Sequence, residues 1–138
     1  AASDVYKRQG DHKVEGNGSY RFNLQKGWSR WVLTMKNNQS IDISGYKQIK
    51  FAVSSLSAAK WDDFKVIIQD RNDNYMVAKL ADLGFKPDGK FYWLILEIEG
   101  IKQAGVDVSN LGKIIQIAWG GGVGANHSFH LDGLQLLK

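Results

Sequence analysis

Cysteine is absent from this chain of 138 residues, and proline occurs once, at Pro87. Without cysteine there can be no disulfide, no zinc–thiolate site and no thiol nucleophile. The compartment stays open, since secreted bacterial domains also do without it. No apolar run approaches the roughly 20 residues that a helix needs to cross a bilayer, and no signal peptide is visible at the start. No membrane partner is expected. Runs of one charge are missing too. The 18 basic residues outnumber the 14 acidic ones and leave a net charge of +4, yet the two kinds interleave and never form a basic run. That pattern describes a mixed solvated surface, and no nucleic-acid partner is expected.

The usual catalytic arrangements are equally scarce, which argues against an enzyme. There is no G-x-S-x-G elbow, and the three histidines (His12, His127 and His130) stand near no evident nucleophile. His127 and His130 are three apart on one strand, so they point to opposite faces and cannot chelate a single metal. The glycine run at 120–124 lacks the Gly-Lys-Ser/Thr that cradles phosphate. Glu97 and Glu99 would lie about 6.6 Å apart along one strand, side by side and not flanking a bond. Asp70-Arg71-Asn72-Asp73-Asn74 begins like a calcium loop. It places Tyr75 where glycine is needed and Ala81 where glutamate is needed, so it reads as a hairpin turn.

Aromatics and glycines are plentiful: five Trp, five Tyr, six Phe and 15 Gly. A chain this long can bury a core unaided, and these residues fit an all-β domain with tight turns. Alternation of period two marks the strands. Residues 19–25 put Tyr20, Phe22 and Leu24 on one face. Residues 28–35 put Trp31, Leu33 and Met35 on one face and Trp28, Arg30, Val32 and Thr34 on the other. These two stretches read as a hairpin. Ile49, Phe51 and Val53 alternate with Lys50, Ala52 and Ser54. Residues 64–69 and 75–80 flank the 70–74 turn. Residues 91–98 are apolar on both faces, which predicts a central strand covered on both sides, by protein on one and by a ligand on the other. A helical turn is expected over 101–108 and a strand over 113–119. In the last strand Phe129 and Leu131 share a face until Asp132-Gly133, where the phase shifts to Leu134 and Leu136 and a bulge is expected.

Two stretches carry a family resemblance. They are Ile41-Asp42-Ile43-Ser44-Gly45-Tyr46-Lys47-Gln48-Ile49-Lys50-Phe51-Ala52-Val53-Ser54 and Phe129-His130-Leu131-Asp132-Gly133-Leu134-Gln135-Leu136. Together they resemble the jelly-roll carbohydrate-binding modules related to families 11 and 30, over roughly residues 14–138. The resemblance implies an all-β, two-sheet antiparallel β-sandwich of galactose-binding-like type. It also implies a noncatalytic module, secreted from a bacterium, that targets a parent glycoside hydrolase domain to a plant β-glycan such as β-glucan, cellulose or hemicellulose. Asp132 holds the acidic position that in such modules helps bind a structural calcium (Ca2+), although Gly133 replaces the second acidic residue of the usual motif. The same scaffold also serves as a protein-interaction or assembly module, which is the alternative function.

Asp4-Val5-Tyr6-Lys7-Arg8-Gln9 resembles the translation of a transposon adapter found in metagenomic reading frames. Residues 1–9 are therefore expected to be a foreign tail, with residues 10–138 as the single domain. The sandwich would then lack its first strand and offer an open edge for dimerisation. Alternatively, residues 5–8 are recruited as a makeshift strand.

A polysaccharide or oligosaccharide partner requires flat aromatics for its apolar C–H faces and amide, carboxylate or guanidinium groups for its hydroxyls. On a concave sheet face the candidates are Trp28, Arg30, Trp61, Gln69, Tyr75, Trp93 and His130, with Lys50 and Gln116 as further hydrogen-bonding groups. Each has an ordinary alternative: Trp93 as packing under a loop, Trp61 as a core cap, Tyr75 as a turn residue, and the polar groups as solvated surface. Trp119 shares parity with Ile115 and Ile117 and reads as core. Asn17, Asn38 and Asn126 open N-x-S triplets and read as turn residues.

Overall fold

The computed structural model describes residues 5–7, 12–14, 20–24, 29–56, 64–119 and 127–138. Ten strands and one short helix are seen: β1 (Val5–Lys7), β2 (His12–Val14), β3 (Tyr20–Leu24), β4 (Ser29–Met35), β5 (Gln48–Ser55), β6 (Phe64–Asp70), β7 (Tyr75–Lys79), β8 (Tyr92–Glu97), α1 (Ile98–Gln103), β9 (Leu111–Trp119) and β10 (His127–Leu137). They form two antiparallel sheets, one of six strands in the order β2-β1-β4-β9-β6-β7 and one of four in the order β3-β10-β5-β8. This is the expected β-sandwich, with no helix among the described residues long and apolar enough to cross a membrane.

The period-two pattern sets which face meets the core. Ile49, Phe51 and Val53 of β5 pack inward, as do Phe129 and Leu131 of β10. The two motif strands lie side by side, with Leu131 opposite Val53 and Leu136 opposite Ile49. Their register shifts between Asp132 and Gln135. Gly133 sits there at a φ of +64°, in the left-handed region that glycine tolerates best. The bulge turns Leu134 and Leu136 back towards the core. Between the sheets runs an aromatic ladder. Trp31 of β4 stacks on Phe22 of β3 at 4.4 Å and 4°. Phe22 stacks on Phe129 at 5.5 Å, and Phe64 of β6 meets Phe129 edge-on at 4.9 Å. Each such pair adds about 0.5–1.5 kcal/mol beyond area burial, so this ladder is a main bond between the layers.

Four expectations change. Residues 19–35 do not form a hairpin: β3 pairs with β10 and β4 pairs with β9, in different sheets. Two alternating strands joined by a glycine turn have the same local signature whether they pair or cross between layers. The strand over 91–98 is not central, because among the described residues β8 closes the four-stranded sheet and pairs with β5 alone. Its second apolar face is exposed and not covered. The helix begins three residues before the expected turn. Ile98 and Ile101 face the core, and a Schellman closure ends it, with the Val106 N–H donating to the Ile101 carbonyl and the Gly105 N–H to that of Lys102. Finally, Val5–Lys7 pairs with β4 on one side and β2 on the other. The makeshift strand, given above as the alternative, is what is observed. Backbone pairing asks little of side-chain identity, so an unpaired edge accepts whatever segment lies near.

The β6–β7 hairpin is locked from within. Asp70 is buried, and its carboxylate accepts the backbone N–H groups of Asn72 (2.8 Å), Asn74 (3.0 Å) and Asp107 (2.8 Å) and the Asn74 side-chain amide (3.0 Å). Burial alone would push its pKa up. The amides of Asp107, Asn74 and Asn72 outweigh burial and hold the carboxyl below its ordinary value.

Candidate functional site

Strand register assembles a polar chain on the outer face of the six-stranded sheet. Trp31 and Leu33 of β4, Ile115 and Ile117 of β9, and Val66 and Ile68 of β6 point into the core. Their neighbours Arg30, Val32, Gln116, Ala118, Lys65, Ile67 and Gln69 therefore face outward. Pairing sets Val32 and Ile67 on either side of Gln116, Ile67 opposite Val77 of β7, and Gln69 opposite Tyr75.

Across these rows the side chains join. Arg30 Nη1 donates to Gln116 Oε1 at 3.1 Å. Gln116 Nε2 donates to Gln69 Oε1 at 2.9 Å, and Lys113 Nζ donates to the same oxygen at 3.0 Å. Gln69 Nε2 in turn donates to Asp73 Oδ1 at 3.2 Å. Gln116 is fully buried although it points away from the core, and Val32, Thr34 and Ala118 on the same face are buried as well. Fixed hydrogen-bond chains orient amides before any ligand arrives. Beside the chain stand Tyr75, 59 % exposed, and Val77, also exposed.

Lys113 is the member that sequence reasoning missed. Strict alternation would place it with Ile115 and Ile117, but the β6–β9 register shifts on both sides of Gln69 and sets Lys113 opposite that residue. Asp73 was also missed. Its φ of +63° in the β6–β7 turn brings it back over the face, and no periodic signal reports that.

The other candidates divide between this face and its opposite. Arg30, Gln69, Tyr75 and Gln116 are brought to one surface. Trp93 and His130 belong to the four-stranded sheet and face the other way, so the expected single face carrying both Trp93 and Gln69 does not form. Trp28 and Trp61 lie outside the described residues. The strand ends nearest to them, Ser29 of β4 and Phe64 of β6, both pair with Trp119 at one end of the six-stranded sheet. His130 meets Phe91 edge-on at 4.9 Å. Lys50 Nζ stands 4.8 Å from the Trp93 ring centroid. Asp132 Oδ1 accepts the Gly133 N–H at 2.7 Å. No group of three or more acidic or histidine side chains gathers among the described residues.

No family profile matches the chain, and no curated protein matches it. Solved structures do. The family 30 carbohydrate-binding module of a cellulosomal cellulase of Clostridium thermocellum superposes with a TM-score of 0.62 at 14 % identity, over 94 % of this chain and 79 % of that one. The family 11 carbohydrate-binding module of the same organism, in complex with a β-1,3-1,4-mixed-linked tetrasaccharide, gives 0.55 at 14 % identity over 99 % and 97 %. A β-1,2-glucanase of Parabacteroides distasonis gives 0.62 at 13 % identity, over 99 % of this chain but only 22 % of the enzyme. The chain thus has the β-sandwich fold of the family 30 and family 11 carbohydrate-binding modules, the resemblance its two motif strands announce.

Proposed function

We propose that the chain is a noncatalytic carbohydrate-binding module that holds a neutral β-glycan across the outer face of the six-stranded sheet. The observation that carries this reading is the Arg30–Gln116–Gln69–Lys113 chain, in which the buried Gln116 holds the exposed Arg30 and the part-exposed Gln69, with Lys113 on Gln69, in one row. Amide and guanidinium groups fixed in this way can meet vicinal hydroxyls in pairs, and the exposed Tyr75 ring supplies an apolar plane beside them. Sugar stacking and hydrogen bonding of this extent give weak to moderate affinity, as suits a module that tethers a parent glycoside hydrolase domain to an extracellular polysaccharide. The mixed-linked tetrasaccharide held by the family 11 module supports a β-glucan as the first ligand to try.

Affinity electrophoresis against a panel of β-glucan, xylan and mannan tests the reading. Retardation by at least one of them is expected, and migration unchanged by every polysaccharide would end it. The alternative, a protein-interaction module on the same scaffold, draws on the exposed apolar residues of β8.

A further inference from the structure

The outer face of the four-stranded sheet carries a feature that the proposed glycan face does not use. Phe91, Trp93 and Ile95 stand outward at edge strand β8, with exposures of 48 %, 53 % and 41 %. Of these, Trp93 has a constructed seat. Trp93 pairs with Ala52 of β5, which pairs on its other side with Asp132 of β10. A Cβ on Gly133 would lie 2.7 Å from Trp93 Cη2 and 3.1 Å from Cζ3. The indole therefore reaches across β5 and rests its tip in the notch that the glycine leaves. Ala52, whose side chain points outward beneath this span, is only 4 % exposed. The ring lies down on the sheet with its far side turned to solvent.

We propose that this indole is a second carbohydrate-contacting surface, independent of the six-stranded face, which takes the apolar face of one pyranose of a neutral glycan. Three observations select that occupant. First, the apolar strip is small. Three half-exposed side chains offer on the order of 300 Å², against about 800 Å² per partner in a standard protein interface. Second, the strip is hemmed by hydrogen-bonding groups. Lys50 and Gln135 are paired in register beside Ile95, Asp132 lies one strand beyond Ala52, and Gln48 donates to Glu97 at 2.9 Å. A ring of donors and acceptors around a flat indole matches a sugar, which is apolar on its face and hydroxylated at its rim. Third, the only cation at the ring, Lys50 Nζ at 4.8 Å among the described residues, sits on a flexible stem and can swing to a hydroxyl as a donor. The two outer faces are separated by the thickness of the core, about 10 Å between sheets, so one module could hold two chains or two parts of a branched one.

The proposal shares with the preceding reading only the class of ligand, and one titration separates them. The mixed-linked β-1,3-1,4-tetrasaccharide is added to the 15N-labelled full chain, and two sets of resonances are followed. One set is the Trp93 indole N–H with the Ala52 and Gly133 amides; the other is the amides of Gln69, Gln116 and Val77. The first set should move along its own curve, half-saturating on the order of 1 mM or above. In Trp93→Ala the Ala52 and Gly133 responses should vanish while the second set behaves as before. Movement of the Trp93 set alone supports this proposal and removes the reading of the six-stranded face. Movement of the Gln69 set alone overturns the proposal and leaves that reading in place. A Trp93 set that responds to protein concentration and not to sugar identifies a second copy of the chain as the occupant and overturns the proposal.

Discussion

The two outer faces of the sandwich invert what transfer free energies favour. On the six-stranded sheet a glutamine is buried and ties an arginine to a second glutamine, to which a lysine also donates. On the four-stranded sheet an indole, a phenyl ring and an isoleucine face water. Neither arrangement is needed to hold the layers together, because the Trp31–Phe22–Phe129–Phe64 ladder already does so from inside. Departures from the ordinary inside–outside rule that bring no packing gain are where function is expected. The faces differ in kind as well. The polar one is an extended network spanning three strands, suited to reading a chain of hydroxyls; the apolar one is a single platform.

That contrast can be broken most severely at Asp70. Replacing Asp70 by Ala leaves three backbone N–H groups and the Asn74 amide without their acceptor, and should cost roughly 3 kcal/mol in chemical denaturation. The loss should loosen the β6–β7 hairpin that presents Gln69 and Tyr75, while the Trp93 seat stays formed in whatever fraction remains folded. The pH dependence has a definite sign. Because the folded pKa is depressed, the contribution of Asp70 is full above the unfolded value near 4 and is lost as the pH falls through the lower folded value.

Next in size is Gln116→Leu, which keeps the volume and removes the hub of the polar chain. Stability should change by no more than about 1 kcal/mol, since Arg30 and Gln69 can turn to water. Glycan affinity measured by calorimetry should nevertheless fall about tenfold or more. Tyr75→Ala should lower affinity by roughly fivefold through loss of one stacking plane, with stability within about 0.5 kcal/mol of the parent because the ring is exposed. Salt should matter least. Raising ionic strength about tenfold should shift affinity by less than roughly twofold for a neutral glycan, whereas an acidic glycan attracted by the net charge of +4 would be released.

Legibility from sequence follows the same division. Alternation separated the two faces of β4 and β5 and located the bulge at Gly133, because burial of one sheet face imposes a period of two. It also placed Arg30 and Gln69 on the outward parity. What alternation lacks is partnership. It cannot distinguish a hairpin from a crossing between layers, which is why β3 and β4 were joined, nor an apolar face under cover from one in water, which is why β8 read as central. The network needed the register of β4, β9 and β6 with two irregularities around Gln69, and those irregularities are what bring Lys113 into the site. Likewise the seat of Trp93 depends on a glycine 40 positions away in sequence, two strands across the sheet.

The central claim, that a glycan is held by the polar chain on the six-stranded sheet, is tested most directly by running the parent chain and Gln116→Leu side by side through a gel containing mixed-linkage β-glucan. The account predicts that the parent is retarded and that the variant, with the same melting temperature, migrates nearly as it does without polysaccharide. Equal retardation of the two would contradict it.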